Sequence, residues 1–430
     1  MAPDERSGHD IALKVDIQPG VPTEHIECPS HKTTVRRDQS SNQCVSLSKD
    51  DTVPNRDFTL RYRVAGDATK TAMMTHKDDS GRYFSMMLIP PRQLRTQHRD
   101  PLEMVFVLDC SGSMSGQPLH QVKVAVRQAL TTTEPRDTFQ LIRFSSNASQ
   151  LGDRPLPATP DNVRKALQWL DALNCGGGTE MIQGLRAALN FPHDEGRLRL
   201  VPFMTDGFIG NQQQVLTTLH HELGTARVFS FGVGNAPNRY LMNRMAAIGR
   251  GAVACLERDD DASDVMRHFC EHISHPALAD ISIDWGDMQV SDVYPTRIPD
   301  LIVGRPVLIT ERYTGTPGTV RVSGRAAGAT VEHRIGGDLN QDSHEGIAAV
   351  WARHRIKDLM NQLTTRPESH EQIRQLVLQT AVNHSLMSSY TAYIAVDPLT
   401  TTAGEFGTTV AVPTPTPAGV RYDTTVNGGG

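Results

Sequence analysis

The sequence predicts an α/β domain with a doubly wound, mostly parallel sheet, inserted in a β-sandwich and followed by C-terminal helices. Three observations carry this reading. Residues 100–275 alternate strand-like and helix-like periods, which implies parallel strands with helices on both faces. β-type patterns flank that segment, at 11–95 and again at 278–335. Three polar loops of the middle segment fall on the carboxyl edge of the predicted sheet, where open α/β sheets bind their ligands.

The elements follow in order. Ile11 to Ile17 alternates apolar and polar residues, as a half-buried strand does, and so does Phe58 to Val64. Tyr83 to Ile89 is a further strand candidate, and turn residues such as Ala65-Gly66-Asp67 and Asp78-Asp79-Ser80-Gly81 separate these runs. In the middle segment the strands are expected at 103–109, 138–144, 198–205, 226–232 and 252–256, and the helices at 117–132, 160–172, 179–190, 211–223, 237–248 and 260–274. Val122, Ala125 and Ala129 set the apolar stripe of the first helix, and Thr159-Pro160-Asp161 is a start signal for the second. Later strands are expected at Ile281 to Trp285, Pro306 to Tyr313, Thr319 to Val322 and Tyr390 to Val396, with a helical stretch over 345–381. The expected organisation is 1–97 as the first half of a sandwich, 98–275 as the α/β domain and 276–340 as the returning half. A helical segment and closing strand follow at 341–398, then a Thr-, Pro- and Gly-rich tail at 399–430 that reads as disordered.

The chain's 430 residues suggest two or three domains, and 38% hydrophobic residues permit real cores. A net charge of −5 with mixed signs gives no reason to expect a nucleic-acid partner. No run approaches the ~20 apolar residues of a membrane span, and the polar stretch after Met1 has no apolar signal-peptide core. Six scattered cysteines lack a CxxC or finger spacing, so they do not read as a disulfide framework. Cys110 and Cys175 lie beside the candidate metal loops and are read as a reduced pair.

Met104 to Leu108 form an apolar run that ends in Asp109-Cys-Ser111-Gly-Ser113. Gly176-Gly-Gly-Thr179-Glu180 precedes the third helix, and Leu200 to Thr205 again ends an apolar run, in Asp206-Gly207. Asp109, Ser111, Ser113, Thr179 and Asp206 are therefore expected together on one sheet edge. Two carboxylates with neutral hydroxyls make a hard-oxygen donor set suited to Mg²⁺, with Mn²⁺ or Ca²⁺ as alternatives. Hydroxyls leave much of the ion's charge uncancelled, so an open position would attract a carboxylate from another molecule.

At these residues the chain resembles the von Willebrand factor A domain, a Rossmann-like fold whose metal-ion-dependent adhesion site (MIDAS) has the pattern Asp-x-Ser-x-Ser, a distant Thr and a distant Asp in Thr-Asp-Gly. All five elements are present in the family's order, and the resemblance covers roughly residues 100–275. The flanks, among them Val53-Pro-Asn-Arg-Asp57-Phe, Trp351-Ala-Arg-His-Arg-Ile356 and Met387-Ser-Ser-Tyr390, resemble inter-alpha-trypsin inhibitor heavy chain-like proteins. In that family β segments on both sides of the A domain form one composite sandwich, called a hybrid domain. Members normally begin with a vault/inter-alpha-trypsin (VIT) domain, and this chain starts where one is expected to end. The resemblance implies a non-enzymatic, metal-dependent adhesion module in a secreted or cell-envelope setting. Its implied partner is a protein, extracellular matrix included, that presents an Asp or Glu to the ion. Chain order, with the last A-domain helix (260–274) leading straight into the sandwich, adds the expectation that its motion couples ligand binding to the sandwich.

The other readings are weaker. A scaffold with a stabilising metal uses the same residues. A metal-dependent hydrolase lacks a placed general base: there is no GxSxG elbow around Ser113, no Walker lysine after Gly176 to Gly178, and Ser111 stands where a phosphatase-like Asp-x-Asp needs a carboxylate. His268, Cys270, His272 and His275 read as an ordinary closing helix rather than a zinc site, and His220-His221-Glu222 as surface. Asn147 and Asn383 begin glycosylation triplets with no secretory signal to support them, and Asp397-Pro398 reads as a turn.

Overall fold

The computed structural model describes residues 11–394 apart from 19, 22, 38–42, 53–55, 65, 67, 93–98, 235, 258, 274–275, 316–317, 327, 336–343 and 366. The predicted tail, Asp397-Pro398, His275 and the end of the predicted last strand lie outside the described residues. Contacts divide the chain into two compact units, one holding residues 1–66 and the other residues 73–391.

The first unit contains β1 (Lys14–Ile17), β2 (His25–Glu27), β3 (Thr33–Arg37), β4 (Gln43–Leu47) and β5 (Arg61–Arg63). β1, β4 and β3 form one antiparallel sheet, and β2 pairs β5. β5 is shorter than the alternation over 58–64 predicts. At its start Thr59 N donates to the Ser30 hydroxyl (2.7 Å), so a side chain takes the place of a ladder partner.

β6 (Lys70–Asp78), whose first three residues fall with the first unit, and β7 (Gly81–Ile89) lead into the α/β domain of the second. This domain consists of β8 (Leu102–Asp109), α1 (Gln117–Thr131), β9 (Thr138–Phe144), β10 (Ala148–Gln150), β11 (Leu156–Pro157), α2 (Pro160–Asp171), α3 (Met181–Leu189) and β12 (Leu198–Thr205). It closes with α4 (Gln212–Glu222), β13 (Arg227–Val233), α5 (Arg239–Ile248), β14 (Arg250–Leu256) and α6 (Ala262–Ile273). The six helices and five parallel strands lie within two residues of their predicted bounds. The sheet order is β10-β9-β8-β12-β13-β14; β8 to β14 pair in parallel, and β10 and β11 are antiparallel additions on β9.

All eight residues of β8 are buried. Met104, Phe106 and Leu108 pack toward α1, α2 and α6, and Val105 and Val107 toward α3, α4 and α5. A strand covered on both faces reads as a continuous apolar run, which is why this one was legible. The order also places a topological switch at β8. The chain leaves β8 for β9 on one side and returns at β12 on the other, so loops from both directions meet at its carboxyl end.

After the α/β domain come β15 (Pro276–Asp284), β16 (Gln289–Tyr294), β17 (Leu301–Ile302), β18 (Val307–Thr314), β19 (Val320–Ala326), β20 (Ala329–Ile335), α7 (Gly346–Thr365) and α8 (His370–Asn383). Two four-stranded sheets, β16-β18-β7-β6 and β17-β15-β19-β20, share a core in which Met86, Leu88 and Ile309 meet Leu278, Val320 and Val322. Strands from before and after the α/β insert thus build one sandwich, and β6 and β7 are what the N-terminal region contributes to it. α7 lies on the outer face of β7 and β18, where the Trp351 indole donates to Asp292 O (3.1 Å) and stacks near Tyr83.

Two predicted elements beyond the α/β domain differ in kind. The helical stretch over 345–381 is two helices separated by a 3-10 turn at Pro367–Ser369, because proline lacks an N–H and disfavours helix at the residue before it. No strand forms at 390–394. Ser388 N and Tyr390 N instead donate to the Thr391 and Ser388 hydroxyls, closing a tight turn, and Ile394 is 85% exposed with no face to bury.

Glu311 on β18 points into the sandwich core, opposite Phe84, fully buried with neither carboxyl oxygen hydrogen-bonded. Burial pushes its pKa up to about 9. The folded state therefore keeps a proton that the unfolded chain gives up above its ordinary pKa of 4.5. This contribution to stability falls as pH rises from 4.5 toward 9, by about 3 kcal/mol at pH 7. Glu311→Met, of similar length and without a charge to lose, is expected to raise the urea midpoint at pH 8 and to flatten its decline between pH 5 and 8. Equal midpoint shifts at both pH values would contradict this.

Candidate metal centre

Asp109 is the last residue of β8 and is fully buried. One carboxyl oxygen accepts Ser111 N (2.8 Å) and the other accepts the Thr205 hydroxyl (2.6 Å). These bonds fix the carboxylate from its own loop and from the end of β12. Ser111 is buried, and Ser113 is exposed in a short 3-10 turn anchored by buried Met114. Their hydroxyl oxygens lie 3.2 Å apart.

The glycine loop is clamped from two sides. Gly176 N donates to Cys110 O (2.8 Å) and Gly112 N to Gly177 O (3.2 Å), while Gly178 N reaches the Ser146 hydroxyl (2.9 Å) and Glu180 N reaches Ser145 O (2.7 Å). Gly177 has φ +82° and would place a Cβ 2.6 Å from the Ser146 hydroxyl, so the clamp requires glycine there. Thr179 is half-buried in this loop. The loop lies against the Asp109 loop, but Thr179 makes no hydrogen bond to the other four candidates among the described residues.

Asp206 follows β12 and is 8% exposed, with one carboxyl oxygen accepting Phe208 N (3.1 Å). Asn238 holds this loop from the start of α5. Its N donates to Asp206 O (2.9 Å), its side-chain amide donates to Gly207 O (3.1 Å), and its side-chain oxygen caps Leu241 N (3.1 Å). Gly207, at φ +73°, would drive a Cβ to 2.9 Å from Met242 and 3.0 Å from Asn238.

Burial raises the Asp109 pKa, and the Asp206 charge adds to the rise. Two carboxylates held near each other at low exposure are the arrangement a cation relieves. The donor set of carboxylates and hydroxyls contains no thiolate or imidazole and so favours a hard ion. Adjacent oxygens around Mg²⁺ at its usual bond length stand about 2.9 Å apart, and around Ca²⁺ about 3.4 Å. The 3.2 Å between Ser111 and Ser113 falls between them. These residues fit a divalent ion.

Two participants carried no role in the sequence reading. Thr205 orients Asp109, and Asn238 fastens the Asp206 loop. The only sequence signal for Thr205 is its place before Asp206-Gly207, and nothing local marks Asn238. The Cys110 and Cys175 thiols lie within hydrogen-bonding reach of each other, both free, and burial pushes Cys110 up to about 12. The helix cluster does not converge: His268 is exposed and faces Glu271 at 3.5 Å, while Cys270 is turned into the core. Among the described residues no group of three or more His, Cys, Asp and Glu is placed to hold a metal, nor is any helix long and apolar enough to cross a membrane.

Residues 102–255 match the family profile of the von Willebrand factor type A domain. The chain is similar to human inter-alpha-trypsin inhibitor heavy chain H4, 22% identical over 385 residues that cover 83% of this chain and 40% of that protein. It is also similar to a von Willebrand factor A domain-containing protein of Dictyostelium discoideum, 24% identical over 295 residues, 68% of this chain and 31% of that protein. The chain thus spans well under half the length of these two relatives. In structure it resembles the ArnB paralog VWA2 from Sulfolobus acidocaldarius, with a TM-score of 0.50 and 13% identity over 74% of this chain and 91% of that one.

Proposed function

Because the chain carries a von Willebrand factor type A domain and is of the inter-alpha-trypsin inhibitor heavy chain-like kind, we propose that it is a divalent-metal-dependent protein-binding module. The observation that carries this is the meeting of Asp109, Ser111, Ser113 and the Thr205-Asp206 corner on one sheet edge, with the Thr179 loop hydrogen-bonded to Cys110 and Gly112 of the Asp109 loop. Asp109, Ser111 and Ser113 hold the ion from the first loop, Asp206 holds it directly or through water, and Thr179 joins in the ligand-engaged state. Mg²⁺ is the ion we assign, with Mn²⁺ or Ca²⁺ as substitutes. When bound, the ion supplies a coordination position for an Asp or Glu carboxylate of a partner protein, extracellular matrix proteins included.

The protein's own groups do the positioning. Thr205 and Ser111 N hold the Asp109 oxygens in place, and Asn238 keeps the Asp206 loop closed. Phe208, 60% exposed beside Asp206, offers apolar area next to the carboxylate site. Our reading of this arrangement is adhesion rather than catalysis. The test is capture of partners by the wild type and by Asp109→Ala, each in Mg²⁺ and in EDTA. Partners are expected only with the wild type in Mg²⁺. The same partners in all four conditions would leave a scaffold whose metal plays no part in binding.

Thr205 yields a separate prediction. Thr205→Val keeps the shape but removes the bonds to Asp109 and from Gly207 N. Metal affinity is expected to fall about 10- to 100-fold, as for other residues that orient a ligand. Titration of Mn²⁺ followed by electron paramagnetic resonance measures it, and an unchanged affinity would remove Thr205 from the site.

α6 is tied to α1 through Ser263 and Gln128 (3.0 Å), and α1 starts directly after the Ser113 loop. On the proposed reading this is a route from the ion to the sandwich, which follows α6 in the chain. Unchanged hydrogen exchange in 262–273 on partner binding would count against it.

A further inference from the structure

At the opposite edge of the parallel sheet, a half-open cavity of about 410 Å³ lies between the α/β domain, the sandwich and α7. Its walls are the carboxyl ends of α4 and α5, the turn after β16, Leu308 of β18 and one stripe of α7. That stripe runs His354, Lys357, Asp358, Asn361 and Gln362, spaced as one helical face. It faces the cavity, while Trp351 and Leu359 of the same helix are buried elsewhere. The volume lies within the roughly 300–1,000 Å³ that small-molecule sites occupy.

The cavity has two chemically distinct sides. Ile248, Leu308, Tyr294, Pro295 and Ala247 make an apolar wall. Arg297 and Lys357 are the cations of the other, beside His354, whose pKa burial and Lys357 lower so that the neutral ring is favoured. Among the described residues no carboxylate comes within ion-pair distance of Arg297 or Lys357. Arg297 donates to His220 O (3.0 Å), and a carbonyl satisfies that N–H but leaves the charge. Burial and the neighbouring Arg250 both lower the Arg297 pKa. The Arg250 Nε is itself buried without a hydrogen-bond partner. Asp358 is the carboxylate on the wall; Thr296 (3.0 Å) and Gln362 (2.7 Å) donate to its two oxygens and hold it in place, while its charge stays on the wall against one of the two cations.

We propose that this cavity binds a small organic carboxylate with an apolar body, its charge against Arg297 and Lys357 and its body against Ile248, Leu308 and Tyr294. The site is separate from the metal centre and needs no ion. An occupant touches the α/β domain, the sandwich and α7 at once, so binding fastens the three together.

The test is calorimetric titration of the full chain, in EDTA, with 4-phenylbutyrate and with 4-phenylbutan-1-ol as its neutral counterpart. The acid is expected to bind at one saturable site at least about tenfold more tightly than the alcohol, the scale of a charge-assisted hydrogen bond. Arg297→Gln and Lys357→Gln each weaken the acid and leave the alcohol unchanged. Ala247→Trp, at an exposed position on the rim, abolishes both. Lys357 is also exposed, so two of the three variants test the site without disturbing a core. Equal affinity for acid and alcohol, binding that EDTA removes, binding that Ala247→Trp leaves intact, or no saturation below millimolar concentration would each overturn the proposal.

Discussion

Asp109→Asn is expected to abolish the stabilisation of the chain by Mg²⁺ while leaving the metal-free fold close to wild type. Asparagine keeps the size of the side chain and an oxygen to accept Ser111 N, and its amide can donate to the Thr205 hydroxyl, so both local bonds persist. In the metal-free state the carboxylate itself is disfavoured by burial and by Asp206, so losing its charge removes little. With metal the balance reverses, because Asp109 is the most deeply buried of the proposed anionic donors. The affinity loss should exceed the about 100-fold that marks the upper end for orienting residues. A ligand at 100 times its dissociation constant stabilises by about 2.7 kcal/mol, so the wild type should show a clear thermal shift at saturating Mg²⁺ that Asp109→Asn lacks. Matching shifts in both proteins would place the ion elsewhere.

Arg227→Met is expected to destabilise the second unit by about 3–5 kcal/mol, the cost of leaving a buried partner uncompensated. Arg227 begins β13 and is only 3% exposed. Its guanidinium forks onto both oxygens of Asp300 (2.7 and 2.9 Å) and reaches Asp280 of β15 at 2.6 Å. The α/β domain and the sandwich are thus joined by the buried Arg227–Asp300 pair, with half-exposed Asp280 and Arg325, itself paired to Asp280 and Asp100, on its flank. Methionine fills the space of the aliphatic stem but leaves Asp300 buried and charged. Adding Asp300→Leu should recover part of the loss, since two well-packed apolar groups often replace a buried pair at little cost. Urea unfolding of the single and double variants measures this. A double variant no more stable than the single would mean that packing, rather than the stranded charge, sets the cost.

Much of the α/β domain was legible because its signals are local. The apolar run of β8, the Thr159-Pro160 start of α2 and the stripe of α1 each record which faces of one element are covered. Asp109, Ser111 and Ser113 were visible as the abrupt end of such a run. β3, whose residues Thr33 to Arg37 are largely exposed, offered no such contrast and was missed. The strand expected at 390–396 does not form over its described part, 390–394, where the Ser388 and Thr391 hydroxyls accept backbone N–H groups in a tight turn. Thr205 was in view as a strand end, but its bond to Asp109, 96 positions earlier, has no local trace.

By itself, the sequence determined which segments are buried on both faces, which loops carry oxygen donors, and that β segments bracket an α/β insert. Tertiary structure decided which strands pair, that Asn238 and Thr205 brace the carboxylates, that Arg227 joins two layers, that Glu311 lies in an apolar core, and that a cavity lined by Arg297 and Lys357 opens beneath α5. The division has a physical cause. Periodicity records the average environment of an element, which neighbours along the chain share. A hydrogen bond, an ion pair or a cavity wall depends on residues tens to hundreds of positions apart, and only the folded geometry brings those together.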